Sequence, residues 1–253
     1  MRYLLFTPYA PLASWGDVAV GEFRPSFNYP SRSAVLGLLG AALGLDRGDE
    51  DAHEALHIGY GVAVAVYEDG RLLRDYHTAQ VPGTSSMKGR PHRTRADELA
   101  VLRDDLNTIL STRDYRQDAV NLICLWSKAD PARWTLDELN AALNEPRFVL
   151  YLGRKSCPPA LPLNPEIVEA DDIQAALAQT EPRLEKLAAQ LVRKMPLTLR
   201  RVAWEDGAKP GYQVTFSVPR KDDVRSRRRW QFGDRAEHVA LIAPEDLAIE
   251  DDA

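Results

Sequence analysis

The chain has 253 residues, enough for one large domain or two small ones, and its 45% hydrophobic and 27% charged content is that of an ordinary globular protein. A formal net charge of −5 excludes a polycation overall, yet acid collects at 46–54 and 245–252 and base at 88–95, 193–201 and 220–229. Two cysteines, Cys124 and Cys157, give no disulfide framework and have no His or Cys neighbour at metal spacing, so reduced thiols in a cytoplasmic protein are expected.

RYLLFTPY (2–9) reads as a first strand directly after the initiating residue, with no secretory leader expected. A turn-rich loop, PLASWGD (11–17), follows. NYPSRSAVLGLLGAALGLD (28–46) reads as one helix, started by Pro30 with Ser31 or Ser33. Its uncharged run at 34–45 is shorter than the roughly 20 residues that span a membrane, so a core helix is expected and no membrane contact. Gly37, Gly40 and Gly44 share one side of it, each costing about 1 kcal/mol against Ala; close approach of a strand or chain is the expected return.

GYGVAVAVYEDGRLLRDYHTA (59–79) has the alternation of a hairpin turning at Asp69-Gly70. Residues 80–96 form a polar, basic excursion, with a short helix expected at 96–110. A buried strand (118–126), an amphipathic helix (129–143, starting near Thr135) and a strand (147–153) follow. This is read as strand, helix, strand, strand, helix, strand: the α+β, βαββαβ order of ferredoxin-like and RRM-like domains. Both helices then cover one sheet face and leave the other free for a partner. That domain is assigned to 1–160. A smaller, β-containing C-terminal part, 161–253, holds a helix at 171–192, divided at Pro182, and a second hairpin of 197–204 with 211–218.

PLASWG (11–16), YPSRSAVLGLLGAALGL (29–45), DYHTA (75–79), TRDYRQDA (112–119) and YLGRKSCPPALPL (151–163) together resemble the CasD family, the subunit that holds the 5′ end of the guide RNA in type I-E CRISPR Cascade. The likeness covers 1–163, with RSRRRW (225–230) resembling a basic segment near that family's C-terminus. It implies a RAMP-type fold with a thumb hairpin inserted at about 80–112. It also implies a CRISPR RNA 5′ handle as ligand, the Cascade backbone and large subunits as partners with target DNA nearby, and no cofactor. Binding without catalysis is expected; a related branch that cuts its guide supplies the alternative of a metal-independent endoribonuclease, and a protein-only scaffold is a third reading.

Ser31, Arg32 and Ser33 stand where a helix N-terminus meets an anion; an ordinary cap with a solvated Arg is the plainer reading. Lys88, Arg90, His92, Arg93 and Arg95 form a run without acid that suits a phosphate backbone; a solvated surface loop is the plainer reading of such a run, and the resemblance implies RNA contact. Arg113 is a further RNA contact implied by the resemblance. Tyr115 is either a base-stacking ring or a core residue, and Arg154 with Lys155 either binds phosphates or caps the sheet. Arg225, Arg227, Arg228 and Arg229 suit guide, target or an acidic protein surface. Trp15 is read as a core or interface anchor. Cleavage would draft His77, His92, Tyr76 and Lys88, but Tyr76 and His77 are successive strand residues facing opposite ways, and His77 is read as structural. His53 and His57 have helical metal spacing, yet a solvated pair is expected and no metal.

Overall fold

The computed structural model describes residues 1–91, 93–180, 186–187, 189, 191 and 196–242. The elements run β1 (Arg2–Phe6), β2 (Leu12–Ala13), β3 (Phe23–Arg24), α1 (Arg32–Leu43), α2 (Glu50–Gly59), β4 (Tyr60–Glu68), β5 (Arg71–Pro82), α3 (Arg95–Leu99), β6 (Leu106–Gln117), β7 (Val120–Ser127), α4 (Leu136–Asn144), β8 (Glu166–Glu169), α5 (Ile173–Ala178), β9 (Arg201–Glu205), β10 (Phe216–Ser226) and β11 (Gln231–Leu241). Seven strands make one antiparallel sheet in the order β10-β11-β9-β4-β7-β1-β8. A second sheet joins β2 and β3 to β6, which also pairs with β5.

The large sheet is buried on both faces. Leu4, Phe6, Val62, Val64, Val66, Ile123 and Leu125 point into a core with Val35, Leu36 and Leu39 of α1 and Leu136, Leu139 and Leu143 of α4. Their strand neighbours Tyr3, Leu5, Ala63, Ala65, Leu122, Cys124 and Trp126 point the other way, into a second core with Ile173, Ala176 and Leu177 of α5, Val202 and Trp204. The face expected to be free for a partner is therefore covered by the C-terminal residues. Gly61 belongs to this packing: a Cβ there would overlap the Trp126 ring. Residues beyond 160 extend the same sheet at both sides, β8 on β1 and β9 on β4.

The expected hairpin of 59–79 does not form. β4 pairs with β7 and β9, whereas β5 pairs with β6 from Arg71↔Gln117 to Pro82↔Leu106. The two ladders nearly continue one another: Val66↔Asn121 and Glu68↔Val120 precede Arg71↔Gln117, with one register shift between Val66 and Glu68. β4-β5 and β6-β7 are thus two arms of one long hairpin, and Asp69-Gly70 is a bend within an arm rather than its tip. Gly70 has φ 69°, and a Cβ there would lie 2.5 Å from the Gln117 carbonyl oxygen, so the bend requires glycine. The arms leave the large sheet as a two-stranded ribbon, with 83–105 as its tip. The helix expected at 96–110 shrinks to α3 and a 3₁₀ turn at Arg103–Asp105, because β6 starts at Leu106.

Two further expectations change. Residues 147–153 alternate like a strand, with Leu150 and Leu152 buried and Val149 and Tyr151 exposed, but form no ladder. Their backbone is used elsewhere: Arg147 and Phe148 N–H groups donate to Ala42 and Ala41 carbonyls at the end of α1 (3.0 and 3.1 Å). The second hairpin is β10 with β11, turning at 227–230, while β9 sits between β11 and β4. The helix expected at 171–192 is seen as α5; residues 181–185, 188, 190 and 192 lie outside the described set. α4 starts as expected, with Thr135 and Glu138 forming a capping box. No described helix is long and apolar enough to cross a membrane.

Candidate nucleic-acid interface

The start of α1 is not open to an anion. Ser31 caps the helix by accepting from Ala34 N–H at 3.2 Å and also meets Ser33 Oγ at 3.0 Å. The Arg32 N–H donates to Asp222 Oδ2 at 2.7 Å, so a carboxylate from β10 already occupies the helix N-terminus. The Arg32 side chain is only 3% exposed. Its Nε donates to Glu205 Oε1 (2.9 Å), Nη1 to His57 Nδ1 (2.7 Å), and Nη2 to the carbonyls of Tyr60 (3.1 Å) and His57. Ser31, Arg32 and Ser33 are thereby corrected from phosphate ligands: Ser31 caps the helix, Ser33 bonds to Ser31, and Arg32 is part of a buried ion-pair network. Arg235 extends it, bridging Asp222 (2.7 Å) and Glu237 (2.6 Å).

The glycine side of α1 is filled by side chains, not by a strand. A Cβ at Gly37 would lie 3.2 Å from the Arg227 guanidinium, and one at Gly40 3.2 Å from the His53 ring. Gly44 lies past the helix as its left-handed cap (φ 75°), donating to the Ala41 carbonyl. His53 and His57 are consequently not a solvated pair. His53 contacts the Asp46 carbonyl (3.0 Å), and His57 Nε2 meets Asp223 at 3.1 Å. Burial, then the Arg32 charge, holds the His57 pKa below its ordinary value. No group of three or more His, Cys, Asp or Glu among the described residues is placed to hold a metal ion.

The ribbon gathers the cations that remain. Directly opposed strand residues share a face, so Asp75↔Arg113 and His77↔Ser111 lie on one side, and Arg74↔Asp114 and Tyr76↔Thr112 on the other. β3 runs parallel to β6 with Arg24 beside Arg113. Arg154 joins them at the ribbon base, donating to the carbonyls of Arg24 (3.0 Å) and Asp114 (3.3 Å) with its guanidinium 4.7 Å from the Tyr115 ring centre. Tyr115 is 9% exposed and covered by this cation, which fits its core reading and removes it as a base-stacking platform. Arg154 is held by backbone carbonyls, as a sheet-capping residue would be; Lys155 next to it is exposed. Arg113 is partly exposed and donates to Ser111 Oγ at 3.1 Å.

On the opposite face Arg74 grips Asp114 through two hydrogen bonds (2.8 and 3.0 Å). That contact holds the Asp114 carboxyl below the usual carboxylate range. Arg74 also lies 5.2 Å from the Phe23 ring centre. Sequence reasoning missed Arg24 and Arg74. Arg24 sits in a two-residue strand with no periodicity, and its neighbour Arg113 comes from far along the chain.

Lys88, Arg90, Arg93 and Arg95 are all exposed at the tip, and His92 lies outside the described residues. The tip is less purely basic than its sequence. Thr94 and Asp97 form a capping box at α3, and Arg95 pairs with Glu98 at 2.6 Å. Arg113 lies opposite Asp75 and the arm ends at Pro82, so about 23 Å of ribbon separates the base cations from the start of the tip. The ribbon base and tip are thus two cationic patches on one projection. His77 is half-exposed, with Nδ1 3.6 Å from Asp75 Oδ2. Trp15 is buried in the first core, and Cys124 and Cys157 are buried and free. At the β10–β11 turn Arg228 and Arg229 are exposed, Arg225 pairs with Asp223 at 3.0 Å, and Arg227 turns inward onto Gly37.

An α+β core that projects a long cationic β-ribbon defines a class of protein, and comparison places it. The family described as CRISPR-associated protein (Cas_Cas5) matches residues 3–236, and the chain belongs to that family. Among curated relatives it is similar to the CRISPR system Cascade subunit CasD of Escherichia coli (strain K12), 34% identical over 188 residues, which are 71% of this chain and 77% of the relative. Among solved structures it matches a chain of a CRISPR RNA-guided surveillance complex with TM-score 0.57 at 24% identity, covering 94% of this chain and 89% of that one. A Cas protein crystal structure matches with the same score and identity, covering 96% of each chain.

Proposed function

We propose that this protein is the Cascade subunit that holds the 5′ handle of the CRISPR RNA and bridges the backbone and large subunits in antiviral defence. The observation that carries the reading is the ribbon: cations at its base (Arg24, Arg113, Lys155) and tip (Lys88, Arg90, Arg93) on an arm about 40 Å long. Such an arm tracks a phosphate backbone and reaches past the body toward a neighbouring subunit. The order β4-β7-β1-β8, with α1 between β1 and β4 and α4 between β7 and β8, supports a ferredoxin-like RAMP core. The C-terminal residues cover the sheet face used in simpler domains of that plan, which leaves the ribbon and the sheet edges to meet RNA.

Binding is proposed without cutting. Tyr76 and His77 lie on opposite ribbon faces, so they do not form an acid–base pair at one phosphate. The test is a titration of purified protein with repeat-derived RNA ending in the 5′ handle, scrambled RNA as control, and denaturing gels in EDTA. Handle-selective binding with intact RNA supports the reading; metal-free cut products replace it with the endoribonuclease. Weak binding without preference, unchanged when the backbone subunit is added, replaces it with the scaffold.

A further inference from the structure

The turn joining β10 to β11 carries chemistry that the ribbon does not use. Of the five tryptophans, Trp15, Trp126 and Trp204 are buried and Trp134 is partly so, while Trp230 is 59% exposed. It stands in a left-handed backbone conformation (φ 57°), uncommon for a bulky residue, that turns it outward at the sheet edge. Its ring is supported rather than loose. Phe232 packs edge-on at 5.3 Å between centres, and the Arg47 guanidinium lies 4.9 Å from the ring centre. Arg47 is itself fixed by donating to the Arg227 carbonyl at 2.9 Å. Arg227 anchors the turn to the body, its guanidinium seated on Gly37 and bonded to the Ser33 carbonyl. Arg228 and Arg229 are left exposed, with no side-chain partner among the described residues.

We propose that this turn is a second single-strand nucleic-acid contact, in which a base stacks on Trp230 while Arg228 and Arg229 take the flanking phosphates. An exposed indole with two exposed guanidinium groups in the same turn is a combination that binds single strands without reading sequence, because every base has a π face and every linkage a charge. An acidic peptide would satisfy the arginines but would not account for an outward indole braced by Phe232 and Arg47. The site lies in the turn after the edge strand β10, in a different sheet from the ribbon, so it does not depend on the handle reading.

The exposed indole is its own reporter. Tryptophan emission is followed while oligo(dT) or oligo(U), neither containing a handle, is added to the full chain at several salt concentrations. Quenching is expected, and it is expected to vanish in Trp230→Leu together with about tenfold of affinity. The double variant Arg228→Ala/Arg229→Ala is expected to keep the emission of the free protein and to lower the salt slope by about 1.4, two phosphates' worth for a single strand. Preference for oligo(U) identifies the guide as the source, and preference for oligo(dT) identifies displaced or target DNA. Unchanged Trp230 emission with either strand overturns the proposal, as does equal quenching by poly-glutamate. Loss of handle binding in Arg113→Ala, with the quench retained, separates failure at the ribbon from failure here.

Discussion

Arg32 and Arg113 carry the same charge and meet different surroundings. Arg32 is spent inside the protein on Glu205, His57 and the Tyr60 carbonyl. Arg32→Met takes the buried cation from Glu205, which keeps only the partly exposed Lys128 at 3.1 Å, and breaking a buried pair costs up to about 3–5 kcal/mol. The expected outcome is a clear fall in the denaturation midpoint, with handle affinity per folded molecule unchanged. Arg113 faces the ribbon surface; Arg113→Ala is expected to leave the midpoint in place, weaken handle RNA several-fold and lower the salt slope by about 0.7. A pH dependence follows from His57. Burial depresses its pKa in the folded state, so the unfolded chain takes up the proton first on acidification. His57 therefore contributes nothing unfavourable above its ordinary value of about 6.5 and costs stability as pH falls below it; His57→Gln is expected to flatten that part of a stability–pH curve. None of this was legible at Arg32 itself. A helix start with Ser-Arg-Ser reads as an anion site, and the carboxylates that close it lie on β9 and β10, far along the chain.

At the scale of elements, local chemistry was readable where it is self-contained. Thr135 and Glu138 announce α4, and the Val62–Val64–Val66 alternation announces β4. It misled where tertiary pairing decides. Asp69-Gly70 has the composition of a hairpin tip, yet β7 and β9 compete for β4 and win, leaving the dipeptide to bend an arm of a longer hairpin. Residues 147–153 have a strand's alternation and spend their N–H groups on the end of α1. Gly70→Ala tests the bend. The left-handed backbone costs about 1–2 kcal/mol before the Gln117 carbonyl is displaced, so denaturant unfolding should show a loss of at least that size. Handle binding is expected to fall with it, because the ribbon base is re-aimed.

At the scale of the molecule, the sheet buries two cores at once, and each needs residues from both ends of the chain. β4 lies between β7 and β9, with Ala63 opposite both Cys124 and Trp204. A fragment ending at residue 160 keeps α1 and α4 on one face but uncovers Ala65, Leu122 and Trp126 on the other. It is expected to aggregate or to bind hydrophobic dyes, in contrast to the full chain, and light scattering on the purified fragment checks this.

The position of β9 also sets an order in time. The hairpin built from β4-β5 and β6-β7 closes from its own tip, whereas β9 reaches β4 only after the intervening chain exists. Long-range pairings are slow because the loop entropy is spent before any contact forms. During synthesis, one edge of β4 stays an open template until residue 205 has emerged, and an open edge pairs with whatever strand is at hand. Pulse-labelled hydrogen exchange should find β7 protected before β9 and β11. The strand that completes the sheet is then also the one that ends its vulnerability to mispairing.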